Sequence, residues 1–160
     1  MFSQGTSSPD SFKWIEAMHE EMASLHKNHT WKLCKMPKGR SPLRCKWIFK
    51  KKEGSNIGDK TRYKGRLVVK GFSQREDVDY NEIFSPVVRQ TSIRLLLGMV
   101  THWDLQLDIK KTFLHGELEE EIYMEKPEGY VKKGHEHLVC KLERSLYGLK
   151  QAPRQWYKHF

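Results

Sequence analysis

Apolar residues at helical spacing open the chain. After Ser8 and Pro9, which are typical of a helix cap and a first helical position, they recur every three or four residues, at Ile15, Met18, Met22 and Leu25. This pattern predicts an amphipathic helix that ends near Asn28. A short strand is predicted at residues 30 to 34, before a loop that contains proline and glycine.

Between residues 44 and 74 the helical spacing gives way to alternation. The segment RCKWIFKKK places Cys45, Trp47 and Phe49 on one face and lysines on the other. Turn residues follow, and RYKGRLVVKGFSQ is the predicted return strand. The cationic residues of the pair are Lys46, Lys50, Lys64, Arg66 and Lys70. We therefore predict a β-ribbon with one apolar and one cationic face, although edge strands also carry lysines simply to prevent aggregation.

The second half of the chain predicts shorter elements that alternate in type. In chain order they are a helix after Ser85-Pro86, a strand over residues 104 to 109, a strand around 122 to 124, a turn at 127 to 129, a strand at 138 to 142 and a helix from near Pro153. Helices and strands of this kind predict an α+β fold.

Length and composition indicate a folded intracellular protein. The chain has 160 residues, enough for one modest domain or for two lobes that depend on each other. It has no apolar run long enough to cross a bilayer, and its first residues lack the basic and apolar regions of a signal peptide. Three widely spaced cysteines, without a C-x-x-C pair, indicate free thiols and neither a zinc site nor a disulfide framework.

Positive charge is concentrated in one part of the chain. Residues 32 to 75 contain fifteen Lys and Arg against two acids, a local charge of +13, so the rest carries −4 of the total +9. Such a concentration attracts polyanions by counterion release, and it makes their binding depend on salt. The alternative is a basic surface that serves only solubility.

Asp108 is the candidate metal ligand. It ends the alternating segment at residues 104 to 109, and a carboxylate at a strand end suits a hard cation such as Mg²⁺, which takes oxygen ligands. Phe113 follows five residues later, within reach of whatever the carboxylate holds. An aspartate in this place is also a common turn former or a solvated charge, and spacing alone leaves both alternatives open.

Five stretches in this order resemble the reverse transcriptase of Ty1/copia-type LTR retrotransposons, particularly those of plants. They are RCKWIFKKK, RYKGRLVVKGFSQ, YNEIFSPVV, QLDIKKTFLHGELEEEIYMEKPEGY and SLYGLKQAPRQWY. The resemblance runs from about Ser8 to Phe160. It implies a right-hand polymerase, of which this chain would hold the fingers and an incomplete palm. We expect a disordered segment at residues 1–10, a fingers-like region at 11–102 and a partial palm at 103–160.

The resemblance also implies roles for individual residues. Asp108 matches the first-motif aspartate that binds catalytic Mg²⁺, Phe113 matches the aromatic that screens the nucleotide sugar, and the backbone of Ile109 would lie near the triphosphate. Arg66 best matches the arginine that clamps the triphosphate, with Lys64 as a second phosphate contact. The segment YGLKQAP resembles a loop against nucleotide and template, with Tyr147, Gly148 and Lys150 as candidates. For nucleic-acid binding the candidates are Lys46, Lys50 and Lys70.

The partners implied are an RNA or DNA primer–template, dNTPs and the remainder of a Pol polyprotein, with no membrane. The expected location is intracellular, in a cytoplasmic virus-like particle or in the nucleus. The family's aromatic-x-Asp-Asp box, which supplies the other metal-binding carboxylates, does not occur in these residues. We therefore expect that the chain does not polymerise alone. The alternative is a non-catalytic remnant that binds RNA or primer–template through the basic ribbon; a structural protein has no positive support.

Four departures from the family pattern are visible. Lys111 adds a positive charge beside Asp108, and the segment HWDLQLD is about three residues shorter than usual. Asp77 stands where glycine is usual, and Gly65 stands where alanine is usual. These differences indicate a decayed genomic copy.

Overall fold

The computed structural model describes residues 9–54, 60–85, 89–105, 116–131 and 133–159. The helices are α1 (Ser11–Lys27), α2 (Gln90–His102) and α3 (Ala152–His159). The strands are β1 (Trp31–Lys35), β2 (Cys45–Lys52), β3 (Arg62–Val69), β4 (Glu117–Met124) and β5 (Leu138–Arg144). The mixed α+β content is confirmed. Among the described helices, none is long and apolar enough to cross a membrane.

Strands β2 and β3 form the predicted antiparallel ribbon. Cys45 pairs with Val69 at one end, and Lys52 pairs with Arg62 at the other. Trp47, Leu67 and Val69 are buried on the inner face, whereas the lysines of the outer face are exposed. The alternation in the sequence therefore arises as predicted: one face of the ribbon packs against the core, and the other faces water.

Helix α1 covers the inner face of this ribbon. Its buried Met18, Met22 and Leu25 join a core that includes Trp47 and Leu67. At Gly65 the ribbon comes so close to the helix that an added Cβ would lie 3.3 Å from the carbonyl oxygen of Ala17. The helix thus fixes the ribbon, and it leaves only the outer face free for a ligand.

The other sheet has three antiparallel strands in the order β1-β5-β4. Its core residues include Ile122, Met124, Cys140 and Leu142. Strand β1 comes from the region assigned to the fingers, whereas β4 and β5 come from the region assigned to the palm. The two regions therefore share a sheet, and the proposed boundary at residues 102 and 103 stays a prediction.

Three predicted boundaries need correction. The return strand was predicted through Gln74, but it ends at Val69 because the chain turns into a 3₁₀ helix at Gly71–Ser73. The first helix begins at Ser11 and not at Pro9. Strand β4 begins at Glu117 and so also takes in the acidic residues that precede the predicted strand.

All three cysteines are free thiols, as predicted. Burial raises the pKa of Cys45 to about 11, with a further contribution from Glu125, and burial raises the pKa of Cys140 to about 12. The Cys45 thiol also donates to the carbonyl oxygen of Glu125, over 3.6 Å. Both groups are therefore protonated thiols at neutral pH, which are poor metal ligands.

These thiols predict a loss of stability in alkali. Above the ordinary thiol pKa the unfolded chain gives up protons that the folded chain keeps, so the free energy of unfolding falls as pH rises from about 9 towards 11. For Cys140 alone the slope approaches about 1.4 kcal/mol per pH unit. Urea unfolding at several pH values measures it. Cys140→Ala should flatten the slope; an unchanged slope would contradict the assignment.

Candidate nucleotide and nucleic-acid interface

The outer face of the ribbon carries the predicted cationic side chains. Lys50 pairs across the ribbon with Lys64, and Ile48 pairs with Arg66. Lys46, Lys50, Lys64 and Arg66 are exposed, and Lys70, just past β3, is half-buried. Across the described ranges, the ammonium groups of Lys46, Lys50 and Lys64 form no ion pair with a carboxylate. This outer face, which we call the cationic face, can therefore approach a polyanion without breaking ion pairs of these lysines.

Arg66 and Tyr147 are brought together from distant parts of the chain. The Arg66 guanidinium lies over the Tyr147 ring, with Cζ 5.4 Å from the ring centroid. The Tyr147 carbonyl accepts a hydrogen bond from the Val69 N–H at 2.8 Å, which joins the loop to the end of β3. Burial raises the pKa of Tyr147, although Arg66 opposes that rise. The ring therefore stays neutral and supports the guanidinium from below.

Two glycines allow the loop and the segment after β3 to approach each other closely. Gly148 has φ +94°, and a Cβ there would lie 2.1 Å from the carbonyl oxygen of Val69. A Cβ on Gly71 would lie 1.9 Å from the carbonyl oxygen of Gly148. Neither position has room for a side chain, so the two backbones can meet only as glycines.

A buried polar network holds the same loop. Gln151 is fully buried; its Oε1 accepts a hydrogen bond from Gln74 Nε2 at 2.9 Å, and its own Nε2 donates to the Asp79 carbonyl at 3.0 Å. Gln74 Oε1 accepts from the Lys150 backbone N–H at 2.8 Å. Asp79 Oδ2 accepts from the Arg75 N–H. The loop at residues 147–152 is thereby fixed to the segment that follows β3.

The Lys150 side chain turns towards this segment. Its ammonium donates to the Tyr80 hydroxyl at 3.1 Å and to the Gln74 carbonyl at 3.4 Å, and it lies 4.5 Å from the Tyr80 ring centroid. Lys150 is half-buried, so these contacts hold its charge beside the interface. Its predicted role at the nucleotide stays a prediction.

Asp108, Ile109 and Phe113 lie outside the described residues. Among those that are described, no group of three His, Cys, Asp or Glu side chains could hold a metal ion. The described part of the chain therefore offers no complete ligand set for magnesium. Of the sequence-predicted residues, the structure brings Arg66, Tyr147 and Gly148 to the same end of β3.

Sequence reasoning missed the residues that support this arrangement, namely Gly71, Gln74, Asp79, Tyr80 and Gln151. Gln74 and Gln151 do lie inside two of the stretches that carry the resemblance, RYKGRLVVKGFSQ and SLYGLKQAPRQWY. Their place within these two stretches was the available signal. The hydrogen bond between them could not be predicted from the sequence, because 77 positions separate the two residues.

Comparison with known proteins gives a consistent result. The profile of the family described as reverse transcriptase (RNA-dependent DNA polymerase) matches residues 28–160. The chain is 57% identical over 157 residues to the retrovirus-related Pol polyprotein from transposon TNT 1-94 of Nicotiana tabacum, and 46% identical over 149 residues to that from transposon RE1 of Arabidopsis thaliana. These alignments cover 96% and 91% of the chain.

A more distant relative is the truncated transposon Ty1-A Gag-Pol polyprotein of Saccharomyces cerevisiae, 30% identical over 154 residues, or 91% of the chain. The matches span only 12%, 10% and 12% of the TNT 1-94, RE1 and Ty1-A polyproteins. No solved structure matches the chain.

Proposed function

The chain belongs to the reverse transcriptase (RNA-dependent DNA polymerase) family, in its Ty1/copia retrotransposon type, and from this premise we propose that it supplies the nucleotide and primer–template surface of an RNA-directed DNA polymerase. In this proposal the ribbon and α1 belong to the fingers, and β4, β5 and α3 begin an incomplete palm. The polymerase would work inside the cell, in a virus-like particle or in the nucleus, with the remainder of a Pol polyprotein as its partner.

The contact between Arg66 and Tyr147 carries the proposal. An arginine whose planar group rests on a ring is held in one orientation and keeps its N–H donors at the edge free for phosphate oxygens. Lys64 and Lys50 add charge two residues along the same ribbon face. A triphosphate near Arg66 would therefore meet a fixed fork of donors together with a wider positive field.

The remaining proposed roles fall on residues outside the described ranges. Asp108 would contribute one carboxylate to Mg²⁺, Ile109 would bring its backbone to the triphosphate, and Phe113 would screen the sugar. When bound, the metal ions would stabilise charge on the attacking and leaving oxygens of nucleotidyl transfer. The other carboxylates would come from an aromatic-x-Asp-Asp box that these 160 residues do not contain.

A second candidate function is binding without catalysis. The observation that favours it is the cationic face itself, whose exposed lysines need only a polyanion and no metal. Nucleotide incorporation in the presence of Mg²⁺ separates the two candidates, because a remnant would bind primer–template and add nothing to it.

We predict that Lys64→Ala with Arg66→Ala weakens binding to primer–template. Removing two phosphate contacts should reduce the slope of log affinity against log salt by about 2. Fluorescence anisotropy over a salt series measures both the affinity and the slope.

The matched control is Lys35→Ala with Lys38→Ala, which removes the same charge from exposed positions at the end of β1 and just after it, where no ion pair is formed among the described residues. This pair should leave the slope close to that of the unmodified chain. Equal effects of both pairs would show that net charge acts alone, and the cationic face would lose its assigned role.

A further inference from the structure

Phe72 is the most exposed large apolar side chain in the described part of the chain, at 82%. It lies in the 3₁₀ helix Gly71–Ser73, directly after β3. A ring of this size that stays in water does not contribute the favourable free energy that burial of an aromatic side chain provides. An exposed ring at a fixed place next to the proposed binding surface is therefore a candidate ligand contact.

The backbone around Phe72 is held on both sides. The Lys70 N–H donates to the Arg44 carbonyl at 2.8 Å, and the Ser73 N–H and hydroxyl both donate to the Lys70 carbonyl, at 3.1 and 2.8 Å. The Gln74 N–H donates to the Gly71 carbonyl at 3.1 Å. Gly71 and Gln74 are buried, so the exposed ring stands between two anchored residues and is presented in a defined place.

The surroundings indicate which ligand fits. Phe72 follows Gly71, whose backbone lies against Gly148, so the backbone at Phe72 is next to the loop that carries Tyr147 beneath Arg66. Lys70 precedes it, and the cationic face continues from there along β3. Exposed rings at the end of a positively charged surface are typical of proteins that bind single-stranded nucleic acid, where bases stack on the rings and phosphates meet the cations.

We propose that Phe72 is a stacking platform for an unpaired base of a single strand whose phosphates lie along the cationic face. The inference rests on the proposed function, and it adds the chemistry by which a single strand is held at the end of the ribbon. Stacking needs only the face of a base, so the site accepts any base of RNA or DNA.

The test compares strands that have the same phosphates but differ in their bases. Fluorescence anisotropy measures the affinity of the full chain for oligo(dT), for oligo(U) and for abasic strands of equal length, about twelve nucleotides each. We expect the unmodified chain to bind the base-containing strands about tenfold more tightly than the abasic ones. Phe72→Leu should abolish that difference, whereas Phe72→Trp should keep it.

Phe12→Leu is the matched control, because Phe12 is 78% exposed but lies on α1, behind the ribbon. It should leave the preference for bases unchanged. Oligo(dT) and oligo(U) should both be preferred over abasic strands, because stacking needs only the face of a base.

The measurements distinguish a failure of the proposed function from a failure of this inference. If the unmodified chain binds no strand in a salt-dependent way, the proposed function fails and this inference fails with it. If binding depends on salt but abasic strands bind equally well, or Phe72→Leu keeps the preference for bases, only the inference is overturned. A change of oligomeric state in Phe72→Leu with unchanged binding would assign the ring to a contact between copies and overturn it as well.

Discussion

Gly148→Ala is expected to lose about 4 kcal/mol or more of the free energy of unfolding, which places it among the most damaging single substitutions. Two costs add at this position. A residue with φ +94° gives up about 1 to 2 kcal/mol when it gains a Cβ. That Cβ would also lie 2.1 Å from the Val69 carbonyl oxygen and 2.7 Å from Val68 Cγ1, so β3 and the loop must separate. The total free energy of unfolding of a small domain is only about 5 to 15 kcal/mol.

Gly134→Ala separates the two costs. Gly134 has a similar φ of +82°, but nothing lies within 4 Å of the position that its Cβ would take. It should therefore lose only the backbone cost of about 1 to 2 kcal/mol. Urea unfolding followed by circular dichroism measures both variants. Equal losses would mean that the contact between the two chain segments is not as tight as the structure has it.

Local pattern was sufficient for the ribbon and for α1, because the period of apolar residues there is set by one buried face. It failed at the end of β3, because the predicted strand ran on to Gln74 whereas the strand stops at Val69. The stop is imposed by a distant residue, since Gly71 meets Gly148 and Lys70 bonds to Arg44. No pattern within ten residues contains that information.

The resemblance supplied part of what local pattern could not. Asp77 stands where the family usually has glycine, and the structure gives it φ +61°, a left-handed conformation that glycine adopts without strain. The motif order likewise named Arg66 and Tyr147, which the structure joins. It did not predict contacts between distant parts of the chain, such as the pairing of β1 with β5 or of Gln74 with Gln151. A motif indicates what a residue does, but it does not indicate which residues it contacts.

Gln151→Met is expected to lower the free energy of unfolding by about 2 to 4 kcal/mol. Methionine fills a similar volume, so the packing changes little, but two buried groups lose their partner. These are the Nε2 of Gln74, which donates to Gln151, and the carbonyl of Asp79, which accepts from it. Each buried polar group left unsatisfied costs about 1 to 3 kcal/mol.

Gln155→Met provides the same chemical change at a nearly equal burial, 4% exposed against 0% for Gln151. Within the described residues the Gln155 Nε2 has no hydrogen-bond partner, so its loss should cost about 1 kcal/mol or less. Urea midpoints of the two variants decide between hydrogen bonding and simple packing. A Gln155→Met loss as large as that of Gln151→Met would refute the network as the cause. If the difference is found, the hydrogen bonds of Gln151 to Gln74 and Asp79 stabilise the loop that follows Tyr147.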